Sequence, residues 1–540
     1  MKKLMLFFII FIYQTSVAQI HQDTLALIEK IFERYQATSP GCQLAISQNN
    51  RIVFSKAWGI ADLEHRVSLT TESIIEAGSV SKQFTAAAIL LLQQTGKLSL
   101  NDDVRKYIPE LPDYETVITL QHLIHHTSGI KDWGSIMAFS DWPRGTKIYS
   151  NNDVLNILVH QQSLNNKPGD EYLYSNSNYV LLSIIVERIT GKSLEEFTRS
   201  FIFEPAGMKH TQWRSNLNRI VPDRAIAYRK SNSTYFTDMP FENVYGNGGL
   251  LTTAEDLLRW NNYFLSGKLG SPSLLPNQLS VIALNNGRKN AYAAGLRIDS
   301  LRGWKAIMHD GATAAYRSTL EYYPDLKLSI AWLSNTSEFD GGREGLTELR
   351  DLLLKDKSPI NGNAKIDTIL VAPKILTTYA GWYKDRLTNT GIGLIVKNDK
   401  LQTTNGKILV PIAENEFILG SSRIKFQSDQ KRPFYIKDEN GVIYENVEEA
   451  DNSPAILKDC IGEYYSDEVE AKLSISIEND KLVIHRNSNT KFTLNATYKD
   501  GFDIENSSIR VLFERDKKHK IKSLKFTSPR VRNITFKKLQ

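Results

Sequence analysis

Ala77-Gly78-Ser79-Val80-Ser81-Lys82-Gln83-Phe84, continuing through Thr85 into the apolar run Ala86–Leu92, is the stretch from which the rest of this 540-residue chain is read. It predicts a helix entered by a sharp turn at Gly78 and stopped by Gly96. The run Ala86–Leu92 is apolar on every side, and such a helix is normally buried. Ser79 and Lys82 are three residues apart and therefore neighbours on the helix surface. The helix N-terminus adds unpaired N–H groups and the positive end of a dipole. A serine, an adjacent amine and backbone donors aimed at a developing oxyanion are the parts of an acyl-transfer site.

Before this helix, Gln43–Ile46 and Arg51–Trp58 read as strands joined at the turn Asn49-Asn50. After it, Leu123–Ile130 reads as a helix end entering a loop, and residues 131–172 as loop-rich. Pro168-Gly169 leads to Tyr174-Ser175-Asn176 and a strongly apolar helix over Tyr179–Ile189, stopped by Gly191. Thr252-x-x-Glu255 reads as a capping box opening a further helix, directly after Gly246-Asn247-Gly248-Gly249. Trp304–His309 reads as a strand ending at His309-Asp310-Gly311-Ala312. Arg317–Tyr323 and Leu328–Leu333 read as a hairpin around Pro324-Asp325, and Leu346–Leu354 as a closing helix. Strands at both ends with helices between them predict a mixed α/β domain over residues 19–356.

Residues 357–375 read as a linker, after which the chain changes to short alternating strands, an all-β pattern. An internal repeat lies in this part. Tyr379-Ala380-Gly381-Trp382-Tyr383 matches Cys460-Ile461-Gly462-Glu463-Tyr464, and Leu394–Leu401 matches Ile475–Leu482 at the same offset. Two small β-barrels or sandwiches, 376–456 and 457–540, are expected, with one larger β domain as the alternative; Trp382 and Tyr383 read as barrel core.

The composition is that of a globular protein, 41% hydrophobic and 23% charged, and a net charge of +6 not gathered into runs leaves no nucleic-acid footprint. Lys2 and Lys3, the apolar Leu4–Tyr13 and the small-x-small site Ser16-Val17-Ala18 read as a signal peptide over residues 1–18, cleaved after Ala18. Its apolar core is too short to span a bilayer. The expectation is a periplasmic or secreted protein with no stable membrane insertion. Cys42 and Cys460 fall in different expected domains, so a disulfide is not favoured. His122, His125 and His126 cluster, but one short cluster without a distant partner is weak support for a metal, and no metal or other cofactor is expected.

The Ser-x-x-Lys pattern occurs five times, at Ser79, Ser128, Ser422, Ser428 and Ser488, so the pattern by itself decides nothing. Of these serines, Ser79 alone opens a long apolar helix. Tyr-x-Asn occurs at Tyr149, Tyr174, Tyr245 and Tyr444. Tyr174 is framed by a Pro-Gly turn and an apolar helix, whereas Tyr149 has no such frame and is followed by a mostly polar segment. Of the basic residues followed by x-Gly, His309 ends a strand and precedes small residues, while Lys268 and Lys499 sit in surface-like turns.

Taken in order, Ser79-x-x-Lys82, Tyr174-x-Asn176 and His309-x-Gly311 form the three-element pattern of the penicillin-recognising serine hydrolases. Residues 40–340 resemble the branch that holds class C β-lactamases, D-aminopeptidases and esterases. The likeness extends to Gly59-Ile60-Ala61-Asp62, His126-Thr127-Ser128-Gly129, Pro168-Gly169, Gly248-Gly249-Leu250 and Pro324-Asp325. The resemblance implies an antiparallel sheet flanked by helices, plus a helical lobe, followed by two lipocalin-like β-barrel repeats. It implies that Ser79 attacks a carbonyl of a small amide, peptide or ester and that Lys82 and Tyr174 share its proton. Either could be the base: Tyr174 would need nearby cations to lower a pKa of about 10, and Lys82 would need burial. Asn176 would hold the substrate amide or the Lys82 amine; the bland reading makes it a loop-capping amide. The N–H groups of Ser79 and Ala312 would form the oxyanion hole beside Gly311. His309 departs from the lysine usual in β-lactamases and DD-carboxypeptidases, and histidine is mostly neutral around neutrality. The resemblance therefore leans to a D-aminopeptidase, amidase or esterase, with a β-lactamase, a DD-carboxypeptidase or a slowly acylating sensor as the alternatives.

Overall fold

The computed structural model describes residues 22–338, 343–357, 367–427, 435–439, 441–487 and 490–540. The expected signal peptide, the middle of the expected linker, and Ser428 and Ser488 lie outside these residues.

An antiparallel six-stranded sheet organises the first domain. Its strands are β1 (Cys42–Gln48), β2 (Arg51–Trp58), β3 (Arg297–Leu301), β4 (Trp304–Thr313), β5 (Tyr316–Tyr323) and β6 (Leu328–Ser334), in the spatial order β3-β4-β5-β6-β1-β2. β1 therefore joins the two ends of the domain, pairing with β2 on one edge and β6 on the other, with Cys42 opposite Ser334. Asn49 and Asn50 both take positive φ, 52° and 63°, as a two-residue hairpin turn requires. Side chains alternate across the sheet. Leu44, Ile46, Ile330 and Trp332 pack on one face with Ile28 and Phe32 of α1 (Gln22–Phe32). Ala45, Ala331 and Leu333 face the other cluster, which contains Phe84 and Trp260.

The stretch at Ser79 folds as a short 3-10 turn, Gly78–Ser81, leading into α2 (Lys82–Gln94). The helix is buried along nearly its whole length, and Gly96 follows its end with φ +69°. It packs against α3 (Asn176–Thr190), which ends on Gly191 at φ 68°. α4 (Ala254–Leu265) crosses the sheet, and α5 (Glu344–Leu353) closes the domain beside α1.

Four local readings are corrected. The helix α4 is capped by Thr253, whose side chain accepts from the Asp256 N–H, because Thr252 is held in a strand opposite Ile75. β4 runs on to Thr313, so His309 lies within the strand, with Leu320 of β5 opposite it. Tyr149 does precede a helix, Asn151–Val159, whose capping box is Ser150 with Asp153. Trp382 is only half-buried whereas Tyr383 is fully buried, since neighbours along a strand point to opposite faces.

The C-terminal part is made of two barrel-like units. In each, a short helix, Pro373–Thr378 or Pro454–Asp459, precedes the first strand. The same hydrogen bond then recurs: the Tyr383 hydroxyl donates to the Tyr379 carbonyl at 3.0 Å, and the Tyr464 hydroxyl to the Cys460 carbonyl at 2.8 Å. The first unit is an eight-stranded sheet in which Gln402, in one end strand, bridges to Ile408, just before the other; the second is a closed eight-stranded barrel. Cys42 and Cys460 are both free and buried.

The second barrel is locked onto the first domain. Phe139 stacks on Phe526 at 5.0 Å between ring centres, and the apolar core runs without a break from α2 and α3 into the barrel. Lys131 and Glu468 form a fully enclosed ion pair at 2.7 Å. The first barrel has a core of its own.

Candidate active site

Ser79, Lys82, Tyr174, Asn176, His309, Gly311 and Ala312 come together around one cavity. All but Lys82 line it directly, its volume is about 620 Å³, and Lys82 lies buried behind Ser79. Backbone contact closes the cavity's wall. A Cβ on Gly311 would lie 2.1 Å from the Ala77 carbonyl oxygen, and a Cβ on Gly78, whose φ is +49°, would lie 2.8 Å from the Ala312 nitrogen. Only glycine at both positions lets β4 touch the turn that carries Ser79. That turn is pinned by Ser81, which accepts from the Leu250 N–H at 3.1 Å, and by Ser318, which donates to the Ala77 carbonyl at 2.7 Å.

Lys82 Nζ has three neighbours: Ser79 Oγ at 3.1 Å, Asn176 Oδ1 at 2.9 Å and the Asn247 carbonyl at 2.5 Å. Burial pushes its pKa well below that of an ordinary amine, the nearby Arg530 and Arg144 push the same way, and Asp132 opposes them. A neutral amine has two hydrogens and one lone pair. When Lys82 is unprotonated, the two carbonyl oxygens, which can only accept, take its hydrogens and leave the lone pair facing the Ser79 hydroxyl. Tyr174 goes the other way: burial raises its pKa, with the Ser79 hydrogen bond and Arg530 offsetting only part of the rise. This geometry suits Lys82, in its unprotonated form, to accept a proton from Ser79, and the raised pKa of Tyr174 favours its phenol form. Asn176 does not cap its own loop. Its side chain holds Lys82, and its N–H donates to Asp132 at 2.7 Å.

His309 Nδ1 lies 2.6 Å from the Asp310 carbonyl, which can only accept, so Nδ1 carries the proton and Nε2 accepts from the Tyr292 hydroxyl at 3.0 Å. Burial above all lowers its pKa to about 4. A neutral imidazole with both nitrogens engaged offers no charge to an anionic substrate. It also fixes a pH dependence. Between the ordinary 6.5 and about 4 the unfolded chain binds a proton that the native state refuses, so stability falls as the pH is lowered through that window. The urea midpoint is expected to fall more steeply from pH 6.5 to 4 in the wild type than in His309→Asn; equal slopes would overturn this assignment.

His126 sits beneath the site, its ring 4.2 Å from that of Tyr174, with Nδ1 accepting from the Ser175 N–H and the Asn178 amide. Several participants carry no signal in their local sequence. Asn247 belongs to the glycine-rich segment already singled out, but its role is to offer a carbonyl to Lys82. Glu242 lines the cavity and is gripped at both oxygens by Arg144, at 2.6 Å each. Arg530 arrives from the far end of the chain, its guanidinium 4.9 Å from the centre of the Tyr174 ring.

The family model matching residues 28–355 is that of β-lactamase. The chain belongs to the β-lactamase family. Among curated relatives, it is 30% identical over 329 residues to penicillin-binding protein 4* of Bacillus subtilis (strain 168), covering 58% of this chain and 71% of that protein. Protein flp of Staphylococcus aureus (strain MRSA252) is 29% identical over 55% of this chain and 59% of its own length. The D-aminopeptidase of Gluconobacter oxydans (strain 621H) is 26% identical over 55% and 56%. The chain thus spans little more than half the length of these last two. Two solved structures share the fold at a TM-score of 0.53: the octameric penicillin-binding protein homologue from Pyrococcus abyssi, at 22% identity over 86% of this chain and 98% of that one, and the D-amino acid amidase from Ochrobactrum anthropi SV3, at 20% over 61% and 98%. The site is that of a serine hydrolase of this family. Among the described residues, no helix is long and apolar enough to cross a membrane.

Proposed function

We propose that this chain is an exported serine hydrolase that forms an acyl-enzyme at Ser79 and acts on small amides, peptides or esters of D-amino acids. The observation that carries the proposal is the buried Lys82 amine 3.1 Å from the Ser79 hydroxyl beside an open cavity, with burial pushing its pKa well below that of an ordinary amine. Ser79 Oγ adds to the carbonyl carbon as Lys82 takes its proton. The N–H groups of Ser79 and Ala312 receive the oxyanion. Lys82, through the Tyr174 hydroxyl, returns the proton to the leaving nitrogen or oxygen. Water then repeats the sequence on the acyl-enzyme. The neutral His309 and the likeness to a D-aminopeptidase support the lean away from β-lactams. The sequential eight-stranded repeats support a lipocalin-like description of the barrels, and the Lys2–Ala18 pattern supports export to the periplasm or medium.

The test is a fluorophosphonate probe followed by a panel of D- and L-aminoacyl amides, short esters and a chromogenic cephalosporin. Labelling at Ser79 with turnover of D-aminoacyl amides or esters is expected. Rapid cephalosporin turnover without amide or ester activity would reject the substrate assignment in favour of a β-lactamase. Labelling without turnover of any substrate would favour a slowly acylating sensor.

A further inference from the structure

Arg530 lies in the turn between the last two strands of the second barrel, Ile521–Ser528 and Val531–Lys538, yet it lines the same cavity as Ser79, Tyr174 and His309. The turn is built into the catalytic domain on both sides of this residue. The Arg530 carbonyl accepts from the Asn165 side-chain amide at 3.0 Å, and the Arg532 N–H donates to Asn165 Oδ1 at 2.8 Å. Arg532 also grips Glu171 through two bonds of 2.9 Å. The guanidinium of Arg530 is thus carried on a fixed backbone, over the face of Tyr174, and remains exposed to the cavity.

Its charge is uncommitted. Arg144 is spent on Glu242, and Arg297 pairs with Asp299 at 2.9 Å. Among the described residues Arg530 has no carboxylate within ion-pair distance. The acidic groups of the cavity are occupied as well: Glu242 by Arg144, and Asp310 by the Thr319 hydroxyl at 2.9 Å. The neutral, fully engaged His309 leaves the third motif without a cation. Among the described residues two cavity-lining guanidiniums lack a carboxylate partner, Arg343 and Arg530; Arg343 donates to the Gly311 carbonyl at 3.1 Å, whereas the Arg530 guanidinium makes no hydrogen bond and lies over Tyr174, a planar, two-pronged cation free to meet a carboxylate.

We propose that Arg530, supplied by the C-terminal barrel, is a specificity-determining residue that binds a carboxylate carried by the substrate close to its scissile bond. The inference rests on the hydrolase reading above and narrows it to anionic amides and esters, such as peptides whose leaving residue has a free carboxylate.

The test compares charged and neutral ester pairs on the full-length chain: the para-nitrophenyl monoester of glutaric acid against its methyl-capped diester, and para-nitrophenyl acetate against the same ester with a carboxylate on the leaving ring. One pair puts the charge on the acyl side and the other on the leaving side. In at least one pair, the charged-to-neutral ratio of kcat/KM is expected to fall about 10–100-fold in Arg530→Ala, the equivalent of one charge-assisted hydrogen-bonded contact, with the loss chiefly in KM. Arg530→Lys, which keeps the charge but not the fork, is expected to fall between, and Arg530→Glu to invert the preference. A parallel fall for both members of each pair, or an unchanged ratio in both pairs, would overturn the proposal and leave Arg530 a structural residue. Fluorophosphonate labelling of wild-type Ser79 separates the two claims. Labelling without charge discrimination removes only the role of Arg530, whereas a wild-type chain that neither labels nor cleaves any ester removes the hydrolase reading and this inference together.

Discussion

Ser79→Ala is expected to abolish both fluorophosphonate labelling and turnover, and Lys82→Met to lower kcat/KM by about 10²–10⁴-fold, the usual worth of a positioned general base. The two losses should not add. A serine without its base and a base without its serine interrupt the same step, so Ser79→Ala/Lys82→Met should be no worse than Ser79→Ala alone. The pH profile distinguishes the two candidate bases. Lys82 is active when unprotonated, and burial holds its pKa well below the ordinary 10.5, so kcat/KM should rise to a plateau with an acid limb far below that value. Tyr174→Phe should slow turnover yet keep the acid limb, because the phenol's pKa is raised and it does not supply the lone pair. Loss of the acid limb in Tyr174→Phe would transfer the base assignment from Lys82 to Tyr174.

The largest expected effect on stability lies three residues before the nucleophile. Glu76 and Arg214 are both buried and joined by bonds of 2.8 and 3.2 Å, and Arg214 also donates to the Glu242 carbonyl. Arg144 then holds the Glu242 carboxylate at the cavity wall, so one chain of charges runs from the Ser79 turn to the substrate space. Arg214→Met leaves the enclosed Glu76 carboxylate with only Arg224, 3.8 Å away, in place of its hydrogen-bonded partner, which is expected to cost up to about 3–5 kcal/mol. That is a large share of the roughly 5–15 kcal/mol that holds a native protein. Urea unfolding should show it directly. Glu76→Gln/Arg214→Met should recover part of the loss, since the uncompensated charge is gone. No recovery would mean that packing around the arginine, rather than charge, accounts for the effect.

How much of this was legible depended on how locally each feature is encoded. The Ser79 helix declares itself because Ala86–Leu92 has no polar face, and Asn49-Asn50 because two adjacent asparagines tolerate positive φ. The barrels declare themselves through a repeat whose tyrosines make the same bond in both copies. Two of the misreadings are one-residue matters. Thr252 and Thr253 are equally good caps until the pairing of Thr252 with Ile75 is known, and Trp382 and Tyr383 are equally apolar until the strand's facing is fixed. The Lys82–Tyr174 ambiguity yields only to burial, which neither residue type reveals. Arg530 was beyond reach for a different reason. It lies 451 positions after Ser79, in a turn, Ser528-Pro529-Arg530, whose own sequence has no chemical signature. Only the docking of the barrel through Asn165, Glu171 and Phe139 gives that turn a site to enter.

The unbroken apolar core linking the catalytic domain to the second barrel has a consequence for how the chain comes apart. Residues that share a core unfold together, so cooperativity should follow packing and not chain order. The catalytic domain and the last barrel, separated in sequence by some hundred residues, are therefore expected to melt as one unit. The barrel threaded between them has a separate core and touches the last barrel through the hydrogen bonds of Asn389, so it is expected to unfold as a unit of its own while the cavity and its arginine stay assembled.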